Sequence, residues 1–115
     1  MPFLDYHAGR VVRIWDGIHG VLHHSESMTC GHIRLTAGVL LPEHHHPHEQ
    51  WTHVIEGELE FRIGDETMIL RPGMCAMIPS NVPHAGRALT DCLAIDVFQP
   101  VREDFRELEK AQFGG

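Results

Sequence analysis

His44 and His46 stand two residues apart in the run Gly38-Val39-Leu40-Leu41-Pro42-Glu43-His44-His45-His46-Pro47-His48-Glu49-Gln50. Successive side chains of a strand point to opposite faces, so residues two apart share one. Two imidazoles on one face can grip a metal ion from the same side. Gln50 lies four residues on with the same parity and offers a carbonyl oxygen. His84, at the end of a second turn-rich stretch from Gly73, is the fourth candidate. Imidazole suits Zn, Cu, Fe and Ni, and an amide oxygen adds a harder neutral donor. The residues therefore predict one divalent transition metal ion (Zn, Ni, Mn, Fe or Cu) whose identity stays open. Three imidazoles and one amide leave that ion its full charge, which makes it a stronger Lewis acid than one paired with a carboxylate. Polarising an oxygen and stabilising an enolate-like charge are the chemistries it favours.

The plain alternative is a solvated His-rich loop, since the chain holds 11 histidines. A paired H-x-H, a spaced further donor and a second Pro/Gly-framed histidine are together hard to obtain by chance. By parity His45 points away from His44 and His46. His48 and Glu49 follow Pro47 and would replace a ligand only if the chain bulges there. His53 has the opposite parity to Gln50 and reads as a surface or packing residue.

A second stretch, Cys92-Leu93-Ala94-Ile95-Asp96-Val97-Phe98-Gln99-Pro100-Val101-Arg102, also carries chemistry. Cys92, Ala94, Asp96 and Phe98 share one strand face. An acid amid such apolar neighbours needs a partner or a raised pKa, and a raised one suits proton transfer near neutral pH. Arg102, just past the strand, is suited to a substrate carboxylate. The competing reading is a structural Asp96–Arg102 ion pair. Thr52, of inward parity, is a possible further polar contact.

These residues need a scaffold of short strands. Turn signals recur at Asp16-Gly17, Gly20, Gly31, Gly38, Pro42, Gly57, Gly64-Asp65, Pro72-Gly73, Pro79-Ser80-Asn81 and Pro83. The runs between them predict strands over Val11–Trp15, Gly17–His23, His32–Ala37, Trp51–Glu56, Glu58–Ile63, Met68–Arg71, Cys75–Ile78, Ala85–Leu89 and Cys92–Phe98. Leu59, Phe61 and Ile63 alternate with charges, as a half-buried strand requires. One short helix, Glu103 to Gln112, would close the chain on a stripe of Phe105, Leu108 and Gln112. This spacing predicts an all-β fold, a single-domain antiparallel β-barrel.

At 115 residues the chain fits one domain spanning 1–115. Its net charge of −7 argues against nucleic acid as a partner, while a small carboxylated substrate remains compatible with a local arginine or metal. Cys30, Cys75 and Cys92 form no C-x-x-C pair, and each lies in an apolar stretch that predicts a buried thiol. No apolar leader opens the chain and no stretch approaches the ~20 apolar residues of a membrane span, so a cytoplasmic location is expected.

Gly38-x5-His44-x-His46-x3-Gln50-x6-Gly57 resembles the first motif of the cupins, and Gly73-x5-Pro79-x-Asn81-x2-His84 resembles their second. The resemblance implies a cupin jelly roll with metal motifs within 38–57 and 73–84, and ligands at His44, His46, Gln50 and His84. Two positions depart from the pattern: Gln50 replaces the usual Glu, and Asn81 stands where the second motif has Gly. Asn tolerates positive φ better than most residues. The Gln-bearing first motif, followed by D-x-F and an Arg four residues after the Phe, is similar to small cupins that open 4,5-unsaturated monouronates in pectin and alginate degradation. That implies catalytic or substrate contacts at Asp96, Phe98 and Arg102. Small cupins are often homodimers, and Pro2–Arg10 is long enough to cross to a partner. Two other classes stay open: a metal-dependent dioxygenase or different isomerase on this scaffold, and a non-catalytic module that binds a small ligand.

Overall fold

The computed structural model describes residues 2–114. After a 3-10 turn at Tyr6–Ala8, the described chain runs through β1 (Val12–Trp15), β2 (Ile18–His24), β3 (Thr29–Leu35), β4 (Leu40–His44), β5 (Glu49–Glu56), β6 (Leu59–Ile63), β7 (Glu66–Leu70), β8 (Cys75–Ile78), β9 (His84–Ala88), β10 (Cys92–Gln99) and α1 (Glu103–Phe113). The strands form two antiparallel sheets, ordered β1-β2-β3-β10-β5-β8 and β4-β9-β6-β7. This two-sheet, all-β arrangement with one short C-terminal helix is the jelly roll that the motif resemblance implies.

Alternation places the core between the sheets. Along β5, Gln50, Thr52 and Val54 are buried, while Glu49, Trp51 and His53 face out. On β6, Leu59 and Phe61 turn inward, as their spacing predicts. They meet Ile18, Ile33, Leu35 and Ile78 from the other sheet. β10 lies between β3 and β5, which sets Asp96 opposite both Gly31 and Thr52, and Phe98 opposite Gln50. Gly57 ends the first motif with φ +88, in a place where a Cβ would collide with the Asp91 carbonyl.

β4 is the strand that spacing missed. Pro42 reads as a break, but β4 is the edge of its sheet, where a missing N–H is tolerated. Its register with β9 slips between Leu41 and His44. The two histidines of H-x-H therefore do not share one strand: His44 ends β4, and His46 sits in the connection before the bend at Pro47–His48.

Helix α1 buries the expected stripe only in part. Phe105 and Leu108 pack on the core, whereas exposed Gln112 pins the helix to β1. Its Oε1 accepts from the Arg13 N–H at 2.9 Å and its Nε2 donates to the Arg13 carbonyl at 2.7 Å. Glu103 and Asp104 in the first turn and Lys110 in the last suit the helix dipole, and Gly114 closes the helix in a left-handed conformation. The cysteines correct the sequence expectation: Cys92 is buried, Cys30 is half-buried and Cys75 is exposed, because the last two fall on outward strand positions. No described helix is long and apolar enough to cross a membrane.

Candidate metal centre

His44 and His84 are register partners across β4 and β9, and strand pairing alone brings their rings to 4.2 Å. His46 joins from the following connection, 4.9 Å from the His84 ring and 5.6 Å from the His44 ring. One ring nitrogen from each of the three lies within 4.8 Å of the others.

One device orients all three imidazoles. Nδ1 of His44 faces the Pro42 carbonyl at 2.9 Å, Nδ1 of His46 the His48 carbonyl at 3.0 Å, and Nδ1 of His84 the Val82 carbonyl at 2.9 Å. A carbonyl only accepts, so each neutral ring carries its proton on Nδ1 and presents the Nε2 lone pair. Backbone carbonyls that fix the tautomer in this way are typical of metal-ligating histidines. His84 is 1% exposed, and its Nε2 is buried without a hydrogen-bond partner among the described residues. Desolvation, aided by the nearby Arg102 charge and by His84, lowers the His46 pKa to about 4. Desolvation also lowers that of His84. Both rings are thus neutral at pH 7, the form that binds metal.

The two motifs are tied together by their turns. The Asn81 N–H donates to the His46 carbonyl at 2.8 Å, and Ser80 Oγ donates to the Pro47 carbonyl at 2.6 Å. Asn81 takes φ +64, so it makes the turn the second motif needs without a glycine.

Gln50, 6% exposed, sets its Oε1 3.1 Å from His46 Nε2. With the His46 proton held on Nδ1, two lone pairs face each other there. A cation shared between them resolves that opposition and also satisfies the orphaned His84 nitrogen. The donor set thus fits a divalent transition ion: three imidazole nitrogens and one neutral oxygen. His48 and Glu49 are not part of the cluster. Glu49 faces out and accepts from Trp51 Nε1 at 3.1 Å. His45 is exposed, and His53 stacks on Trp51 at the surface.

Asp96, Phe98 and Arg102 meet the same chamber. A cavity of about 400 Å³ is lined by the polar Glu43, His44, Gln50, Thr52, Asp96 and Arg102 and by the apolar Ile18, Ile33, Leu35, Leu59 and Phe61. Asp96 borders the cavity yet is wrapped by protein, and desolvation pushes its pKa up to about 6 against smaller lowering by Thr52 and Arg102. Asp96 stands opposite Thr52 in the β5–β10 pairing, while its buried Oδ1 has no hydrogen-bond partner among the described residues.

Arg102 does not form the ion pair with Asp96 that the sequence left open. Its Nε and Nη2 clasp the two oxygens of Asp104 at 2.9 and 2.7 Å. The guanidinium lies 4.7 Å from the Phe98 ring centroid and 3.8 Å from that of Phe105. This stack and clamp leave Nη1 without a hydrogen bond among the described residues, on a side chain that borders the cavity. The Arg102 N–H donates to buried Thr29 Oγ1 at 2.9 Å, which in turn lies 2.8 Å from His24 Nδ1. Sequence reasoning missed Asp104, Phe105 and Thr29 as supports of this arginine. The acid two residues after Arg102 was the available signal, but it reads equally well as an ordinary first-turn helix charge.

Comparison with known proteins places the chain in a class. A family model described as "Cupin domain" matches residues 31–98, and the chain belongs to that family. Among solved structures, KdgF from Halomonas sp. superposes with a TM-score of 0.85 at 27% identity, covering 91% of this chain and 98% of that one. An RmlC-like cupin from Shewanella frigidimarina gives 0.86 at 25% identity, over 91% and 96% of the two chains. The DMSP lyase DddQ from Ruegeria pomeroyi gives 0.68 at 26%, over 84% of this chain and 54% of that one. Enzymes thus stand among the structural relatives. No curated protein matches the chain.

Proposed function

We propose that this cupin is a metal-dependent isomerase that opens the ring of 4,5-unsaturated monouronates. One observation carries the reading: Asp96, with an oxygen unpartnered among the described residues, and Arg102 line the same cavity as His44 and Gln50 of a converging neutral ligand set. The superposition on KdgF, which spans nearly the whole of both chains, supports it.

His44, His46, His84 and Gln50 would hold the ion. When bound, it would supply Lewis-acid stabilisation of negative charge developing on substrate oxygen. Arg102 binds the substrate carboxylate through Nη1, its other two nitrogens being held by Asp104. Phe98, buried between the ligand set and Arg102, offers its ring to the sugar. Asp96 as carboxylate takes the proton of the C1 hydroxyl. The C1–O bond to the ring oxygen breaks, a C1 carbonyl forms, and the electron pair passes onto the ring oxygen as an enolate. Asp96 returns the proton to C4. One proton moves from oxygen to carbon, and no co-reactant is needed.

The direct test follows the ultraviolet band of the conjugated C=C–carboxylate, which the reaction removes. Metal-loaded protein is expected to bleach it faster than buffer. An unchanged band, with ligand-induced thermal stabilisation but no turnover, would favour the binding-module reading instead. Arg102→Ala is expected to raise KM about 100-fold with a smaller fall in kcat, the size expected for a charge-assisted contact of ~3 kcal/mol. Steady-state kinetics on a concentration series would check it. Unchanged KM would remove the carboxylate anchor from the proposal.

A homodimer belongs to the same proposal. Phe3 and Leu4 in the N-terminal segment and Trp51, Ile55 and Met77 on the outer sheet face are exposed apolar side chains that support it. Sedimentation velocity at two concentrations tests it, and a strictly monomeric profile would contradict it.

A further inference from the structure

We infer that Thr52 is a positioning residue that locks the Gln50 carboxamide with its oxygen toward the histidines, and that Asp96 sets the direction of that lock. The inference rests on the metal reading and deepens it, because it explains how a neutral amide serves as a ligand here.

A carboxamide presents either its oxygen or its NH2 group, and only the oxygen has a lone pair for a metal. The side chain must therefore be held against flipping. Gln50 and Thr52 are adjacent inward residues of β5, and both are buried. Gln50 Nε2 donates to Thr52 Oγ1 at 2.8 Å, while Gln50 Oε1 lies 3.1 Å from His46 Nε2.

A threonine hydroxyl can donate or accept, so it does not by itself choose the orientation of its neighbour. Donation to Gln50 would stabilise the flipped amide, with NH2 aimed at the histidines. Asp96 removes that choice. It is the register partner of Thr52 on β10, and the two side chains line the same cavity. A carboxylate only accepts, so a Thr52 proton turned toward Asp96 leaves the Thr52 lone pair for the Gln50 NH2 group. The order carboxylate, hydroxyl, amide, ligand oxygen then has a single consistent sense. A glutamate at position 50 would not fit the chain, because its second oxygen would compete with Asp96 for the one hydroxyl proton. The structure thus gives a local reason for Gln at this position. Outer partners of metal ligands are commonly worth 10- to 100-fold in affinity.

The test titrates the metal-stripped protein with cobalt(II), reading both the dissociation constant and the visible absorption bands, which report ligand number and type. Thr52→Val keeps the shape and removes the hydroxyl. It is expected to weaken binding 10- to 100-fold and to displace the bands, and Thr52→Ser is expected to restore both. In a Gln50→Ala background, Thr52→Val should add nothing, since its effect passes through the amide. Thr52→Ala serves as the second hydroxyl deletion should the valine variant lose its thermal transition. Wild-type bands and affinity in the hydroxyl-deleted protein would overturn the lock while leaving the metal site standing, as would an equal loss in the Gln50→Ala background. A wild-type protein that binds no cobalt would overturn both.

Discussion

Asp96→Asn is expected to slow ring opening about 1000-fold and, in the same protein, to raise stability at pH 8. The first effect follows from its role: proton transfer by a positioned group is worth about 100- to 10,000-fold, and an amide cannot take or return the proton. The second follows from burial. The folded-state pKa of Asp96 is raised from 3.8 to about 6, with desolvation the leading cause. Between those values the folded protein binds more protons than the unfolded chain. Stability therefore falls as pH rises from about 4 to about 6, and the loss remains in full at higher pH. A shift of that size corresponds to about 3 kcal/mol. A bound dication would attract the carboxylate and reduce the loss, so the full gain of about 3 kcal/mol is expected only where the metal has been stripped. Urea melts of stripped wild type and variant at pH 5 and pH 8 would show the full gain at pH 8 and about half of it at pH 5. An Asn variant that keeps wild-type kcat would remove Asp96 from the chemistry, whatever its stability.

Stripping the metal is expected to abolish turnover and to lower the melting temperature. With the ion gone, the buried His84 Nε2 returns to having no partner, and the His46 and Gln50 lone pairs again oppose each other. Metal present at 1000 times its dissociation constant adds about 4 kcal/mol to the folded state by mass action. For a chain of this size that is a rise of roughly 15 °C. Dialysis against chelator, then readdition of each candidate divalent ion, checks both readouts by calorimetry and by the ultraviolet assay. His46→Ala should behave as the stripped protein does and should not respond to readdition. Full activity after chelation would show that the protein's own acid and arginine suffice.

Much of this was legible in the sequence because a few rules suffice for it. Turn residues at short intervals and the alternation of Leu59, Phe61 and Ile63 announce strands, and two-residue parity puts Gln50, Thr52, Asp96 and Phe98 on inner faces. The histidine cluster was legible for a partly mistaken reason. Parity along one strand does not unite His44 and His46. Cross-strand pairing of His44 with His84 does, and the turn contact from Asn81 to the His46 carbonyl brings in the third ring. Edge strand β4 was hidden by Pro42, since a sequence does not say which strands will be edges. The setting of Arg102 was hidden for a related reason. Its clamp by Asp104 and its stack between Phe98 and Phe105 arise where strand turns into helix, and no periodicity describes such a junction. Cys30 and Cys75 show the limit of apolar context as a guide to burial, because outward parity overrides it.

Elemental analysis of the purified protein beside His84→Ala tests the account at its root. One divalent transition ion per wild-type chain is expected, with the variant near zero although it keeps a cooperative melt. Wild-type protein that is metal-free after expression in metal-supplemented medium, and that shows no thermal response to any added divalent ion, would contradict it.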